Sequence, residues 1–163
     1  MSIIGSATRG THPYNSDLPG EIVRDLSISP TDTKFYATDK GVGRQTAMGS
    51  VEAFTTANSN LPYNDCTAIQ AVSDSSVFIA SPTGDFTVWN GSTTFTNHTY
   101  SDRGEPSASD IQCLAYDSTD GEILIGTESN GMTIYNIGGG AFSRFTTSDG
   151  LPQNQVNAIA VTG

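Results

Sequence analysis

The feature that most constrains this chain is that it repeats itself. The dipeptide Leu-Pro stands at Leu18-Pro19, Leu61-Pro62 and Leu151-Pro152, spaced first by 43 residues and then by 90, twice 45. Midway through the longer gap sits a degenerate copy, Glu105-Pro106. A period of this length means that one small unit recurs, and such units bury their apolar surface against each other rather than alone.

Aligned on the proline, the chain gives four parallel segments, Ile22–Ile28, Cys66–Val72, Ile111–Tyr116 and Val156–Val161. Each is short and rich in apolar and β-branched residues, as a buried strand is. The first three run into turns (Ser29–Asp32, Ser73–Ser76, Asp117–Gly121) and then into second strands, Lys34–Thr38, Val77–Ser81 and Glu122–Thr127. Third strands follow at Phe86–Asn90 and Met132–Asn136, with a weaker match at Gly41–Gln45 in the first repeat. Fourth strands close the units at Val51–Thr56, Phe95–Tyr100 and Ala141–Thr147. Composition agrees, since Ser, Thr, Asn and Gly supply 67 of 163 residues and favour turns over helices.

Four short strands in each unit of roughly 40–50 residues is the pattern of a propeller blade. The expected fold is all-β: a β-propeller segment of three four-stranded blades plus an additional inner strand at the C-terminus. The expected organisation is a leader with a closing outer strand over residues 1–17, then repeats over 18–60, 61–106 and 107–150. Residues 151–163 begin a further blade.

One family shares this pattern. Ile123-Leu124-Ile125-Gly126-Thr127, Gly131 with Tyr135-Asn136, Phe142-Ser143-Arg144-Phe145-Thr146-Thr147-Ser148-Asp149-Gly150-Leu151-Pro152 and Asn154-Gln155-Val156-Asn157-Ala158-Ile159 resemble the two-component-regulator propeller repeat. The second repeat follows it through Leu61-Pro62-Tyr63-Asn64, with Ile79-Ala80-Ser81 in place of Ile-Gly-Thr, and the first diverges most. The resemblance covers about residues 18–163. It implies a propeller, and it implies a setting in periplasmic sensor ectodomains or in other extracellular or virion-associated proteins.

Three blades leave two blade faces open to water. Either several chains close a ring, or the segment belongs to a longer polypeptide. Ring completion by a homo-oligomer, or inclusion in a larger protein assembly, is the expectation, because symmetry is the usual solution and Met1 fits a whole reading frame.

Charge narrows the partners. Seventeen acidic residues against seven basic ones leave a net charge of −10, and Lys34 and Lys40 are the only lysines. No basic patch of the kind that neutralises phosphates can be built from these, so no nucleic-acid partner is expected. No apolar run reaches the ~20 residues of a span, so no direct membrane insertion is expected either. Carbohydrate stays a candidate partner, because an aromatic rim can hold sugars.

Candidate chemistry is sparse. His12 and His98 are the only histidines and neither follows a motif, so no catalytic triad is expected. Asp117, Asp120 and Glu122 lie in or beside a hairpin turn, a place where Asp-Gly is common. They lack the spacing of a calcium loop, so neither a metal site nor a cofactor is expected, although the acidic turn leaves calcium open. Gly138-Gly139-Gly140 joins two strands and opens no helix, so it is a turn and not a phosphate loop. Asn90-Gly91-Ser92 and Asn97-His98-Thr99 are glycosylation sequons that matter only in a eukaryotic secretory host. Cys66 and Cys113 fall in neighbouring first strands and are expected as small buried apolar groups.

The expected function is therefore non-catalytic. Loops around the Leu-Pro positions share one place in the repeat, and Tyr14, Asn15, Tyr63, Asn64, Arg103, Glu105, Gln153 and Asn154 on them are the candidate binding residues. The first reading is a structural or surface-recognition component that is extracellular or virion-associated and phage-like. The alternative is a ligand-sensing part of a larger periplasmic two-component sensor.

Overall fold

The computed structural model describes residues 17–46, 49–92 and 94–162. Twelve strands form three antiparallel sheets, each with its four strands side by side in chain order. The first blade holds β1 (Val23–Ile28), β2 (Lys34–Thr38), β3 (Gly41–Gln45) and β4 (Val51–Phe54). The second holds β5 (Ala68–Ser73), β6 (Ser76–Ala80), β7 (Phe86–Trp89) and β8 (Phe95–His98). The third holds β9 (Ile111–Asp117), β10 (Glu122–Thr127), β11 (Met132–Asn136) and β12 (Phe142–Phe145). First strands of successive blades lie against one another, β1 on β5 and β5 on β9, which is how propeller blades stack.

Burial explains the strand sequences. The middle blade is covered on both sides, so β6 reads as an unbroken apolar run, Val77-Phe78-Ile79-Ala80, buried throughout. Alternate residues of it feed two cores. Val77 and Ile79 join Phe35, Ala37, Val42, Trp89 and Leu61 between blades one and two, while Phe78 and Ala80 join Phe86, Ile123, Ile125 and Tyr135 between blades two and three. Among the described residues the first blade is covered on one side only. There Ser27 is buried toward blade two, whereas Leu26 and Ile28, on the opposite face of β1, are 48% and 52% exposed.

The weak third strand of the first repeat forms in full as β3. The fourth strands end earlier than the sequence suggests, and the reason recurs three times. Thr55, Thr99 and Thr146 each turn both their backbone N–H and their hydroxyl onto the side chain three residues on, Asn58, Asp102 and Asp149, at 2.7–3.1 Å. A Thr so engaged cannot continue the ladder. In the third copy the box caps a 3-10 turn, Thr147–Asp149.

The segment Val156–Val161 takes the innermost place beside blade three but makes no ladder. The Val156 N–H donates to the Thr127 carbonyl at 2.9 Å, as the Cys66 N–H donates to the Thr38 carbonyl at 3.0 Å one junction earlier. It is thus seated like β5. No described strand lies on its other side; the Val156 carbonyl accepts from the Cys113 thiol at 3.9 Å, and the Ile159 N–H faces the same sulfur. The leader strand expected before Asp17 lies outside the described residues.

Candidate functional site

Tyr14 and Asn15 lie outside the described residues; the other six candidates divide by what their side chains touch. Asn64 and Asn154 brace loops. The Asn64 carboxamide oxygen accepts from the Thr56 N–H at 2.8 Å, and that of Asn154 accepts from the Thr147 N–H at 2.9 Å. Tyr63 is exposed, and its phenol is held above the ordinary value, first by the Asp85 carboxylate at its hydroxyl and then by partial burial. Gln153 is exposed.

Arg103 and Glu105 are not loop-face residues. Both side chains are 0% exposed, locked in a two-pronged ion pair of 2.8 and 3.0 Å. Arg103 also donates to the His98 and Gly84 carbonyls at 3.1 and 2.5 Å. Glu105 accepts from the Asn130 amide at 3.1 Å and from the Thr133 hydroxyl at 2.9 Å. The pair therefore fastens a loop of blade two to β11 of blade three, and its charges are met on every side. Buried in this way, neither residue is free to receive a ligand.

A cleft that the repeat pattern did not single out opens between blades one and two. It measures about 280 Å³ and is lined by Arg44, Glu52, Phe54, Asn58, Ser59 and Ser92. Arg44 and Glu52 are cross-strand partners on β3 and β4, joined at 2.5 Å. The Arg44 guanidinium lies 5.5 Å from the Phe54 ring centre and 5.7 Å from that of Trp89, and it also donates to the Gly91 carbonyl. Beneath it Trp89 stacks on Phe95 at 5.1 Å and 6° and meets Phe54 and Phe35 edge-on. Gly91 sits in the left-handed region at φ +74°, and a Cβ there would fall 1.8 Å from the Asp74 carbonyl oxygen, so only glycine fits.

The corresponding outer region between blades two and three is closed by rings. His98 packs on Phe142 at 5.2 Å and Tyr135 on Phe142 at 4.8 Å. Burial holds the His98 imidazole below its ordinary value, against the opposing pull of Asp102. On the turns, the Asp74 carboxylate reaches from blade two to the Ser29, Thr31 and Thr33 hydroxyls of blade one at 2.5–3.1 Å. The Ser29 bond leads in holding that carboxyl below its ordinary value.

Both cysteines are free. Burial pushes the Cys66 thiol up to about 12 and raises Cys113 as well, although Gly126 and Ile159 N–H groups face the latter sulfur. Among the described residues no group of three or more His, Cys, Asp or Glu side chains could hold a metal ion. No helix among them is long and apolar enough to cross a membrane.

No protein-family model and no curated protein matches the chain. Solved structures do. An extracellular domain assigned to the hybrid two-component system BT4673 of B. thetaiotaomicron superposes with a TM-score of 0.63 at 19% identity, over 75% of this chain and 16% of that one. The corresponding domain of BT3049 from the same organism gives 0.61 at 15%, over 85% and 20%. YCF48 bound to D1 peptide gives 0.62 at 12%, over 80% and 42%. The chain thus spans about a sixth of the length of the BT4673 domain it matches. The chain is a β-propeller segment of three four-stranded blades.

Proposed function

We propose that the chain is a recognition module of the extracellular sensor type, working on the extracellular or periplasmic side of a membrane and binding its ligand without transforming it. The observation that carries this reading is the likeness in fold to the BT4673 and BT3049 extracellular domains. The peptide held by YCF48 supports recognition as a use of such blades. The assembly role in a virion or fibre, placed first from sequence, gains no support from these likenesses, and the ligand-sensing alternative takes its place. Within the chain, the open cleft at Arg44 offers a concave polar surface on rigid strands, the kind of place where ligands are held.

The test is thermal unfolding of the chain against a panel of sugars, amino acids, dipeptides and nucleotides, with solution mass followed by light scattering at several concentrations. A rise of about 2–4 °C with one class of compound is expected. A chain indifferent to every compound that forms a sharp closed oligomer would overturn the reading in favour of assembly.

A further inference from the structure

We propose that the cleft between the first two blades binds a free α-amino acid, its carboxylate on Arg44 and its ammonium on Glu52; this deepens the recognition reading and rests on it. A guanidinium has five N–H donors. Two bonds are made by Arg44, to the Gly91 carbonyl and to Glu52, and no other described group accepts from it. The side chain is 25% exposed on the cleft side and is held over the Phe54 and Trp89 rings. It is therefore a fixed cation with donors to spare. Glu52 gives Oε2 to Arg44, while its Oε1 has no described partner and its side chain is 56% exposed.

A cation and an anion with unused capacity thus sit one hydrogen bond apart at the same opening. A ligand that is only a carboxylate meets repulsion from Glu52, and one that is only an amine meets repulsion from Arg44. A ligand with both groups on one carbon satisfies both at once. The volume of about 280 Å³ falls just short of the range for drug-sized ligands, roughly 300–1,000 Å³, which suits a free amino acid. Asn58 is already committed to Thr55 and to the Ala53 carbonyl, so it walls the cleft and Ser92 adds the hydroxyl. Blade packing does not require the charged pair. The cross-strand pairs at the same place in the other blades are Val88 with Thr96 and Ile134 with Ser143.

The experiment is a titration of the ¹⁵N-labelled chain with each of the twenty L-amino acids up to about 10 mM, weaker than most specific sites. Propionate and ethylamine serve as L-alanine stripped of one charge each. At least one amino acid is expected to shift the amides of Arg44, Glu52, Ser59 and Ser92 saturably, with its singly charged analogues inert. Glu52→Gln, an uncharged isostere on an exposed strand, is expected to weaken binding at least about tenfold while the spectrum stays dispersed, and Arg44→Gln the same. Silence from all twenty would overturn the proposal and leave a surface ion pair only. Shifts from propionate equal to those from the amino acid would overturn it too, in favour of a simple anion site. A panel compound that raises Tm without moving these amides would sink this site and leave the recognition reading standing.

Discussion

The two blade junctions close the same gap with opposite chemistry. Between blades one and two the repeat supplies Leu61, 4% exposed, in a core built on Trp89 and its three ring neighbours. Between blades two and three the degenerate copy of Leu-Pro puts Glu105 in that place, and the carboxylate is tolerated because Arg103, Asn130 and Thr133 meet it. The apolar junction is sealed at its centre and leaves a polar cleft at its rim. The other is ionic at the Leu-Pro position, beside its own apolar core, and is closed by rings further out. A repeat fixes where a seal must stand, while what fills the place can change if the whole set of partners changes with it.

Breaking the ionic seal should have the largest effect. Glu105→Ala strands a buried guanidinium and is expected to cost about 3–5 kcal/mol in denaturant unfolding. The double change Arg103→Met with Glu105→Leu should fall within about 1 kcal/mol of the parent or exceed it, because a packed apolar pair replaces a desolvated ionic one. If the single change costs under about 1 kcal/mol, the two junctions do not differ in kind. Leu61→Ala in the apolar junction is expected to cost about 2–4 kcal/mol, through lost burial and the cavity left behind.

The turn latch sharpens the comparison: at the first junction one turn carboxylate, Asp74, gathers three hydroxyls of the neighbouring blade, whereas at the second Glu105 meets the single hydroxyl of Thr133. Asp74→Asn should cost about 1 kcal/mol at neutral pH, because charge-assisted bonds become ordinary ones. The folded carboxyl lies below the ordinary aspartate value, so its contribution is present above about pH 4 and fades as pH falls through the lower folded value. The parent's advantage over the variant should therefore shrink below about pH 4, measured by urea unfolding across pH. The smallest effect is in the thiols. At pH 8 a thiol-specific reagent should label Cys66 only as fast as the chain opens, since a thiol near 12 is ionised to roughly one part in ten thousand. Rapid labelling of Cys66 would mean that the apolar junction breathes.

Most of the fold was legible because burial writes itself into strand sequences. The run Val77–Ala80 and the alternation in β10 needed no structure to be seen. The ends of the fourth strands were not, because Thr and Phe favour strands equally well and only the Asx residue three places on decides where Thr55, Thr99 and Thr146 turn. Arg103 and Glu105 looked like loop charges, since charged residues in a turn region are usually solvated. The signal lay in the repeat itself: an acid where Leu61 and Leu151 stand, with an arginine two residues before it. The Arg44–Glu52 pair sat in the one unit whose third strand matched weakly, and its meeting depends on the β3–β4 register.

The segment after Pro152 has a consequence in time rather than in space. It is tied to blade three through the Asn154 carbonyl on the Gly131 N–H, the Val156 N–H on Thr127 and the Val156 carbonyl and Ile159 N–H at the Cys113 sulfur, and the rest of its backbone up to Thr162 has no ladder. An extended run held at a few separate points comes away piecemeal, at far lower free energy than unfolding of the blades. Hydrogen exchange should therefore read it as a broken comb. Deuterium should enter at Asn157, Ala158 and Ala160 first, with Val156 and Ile159 lagging, while the amides of β10 beside them wait for the blade itself to open.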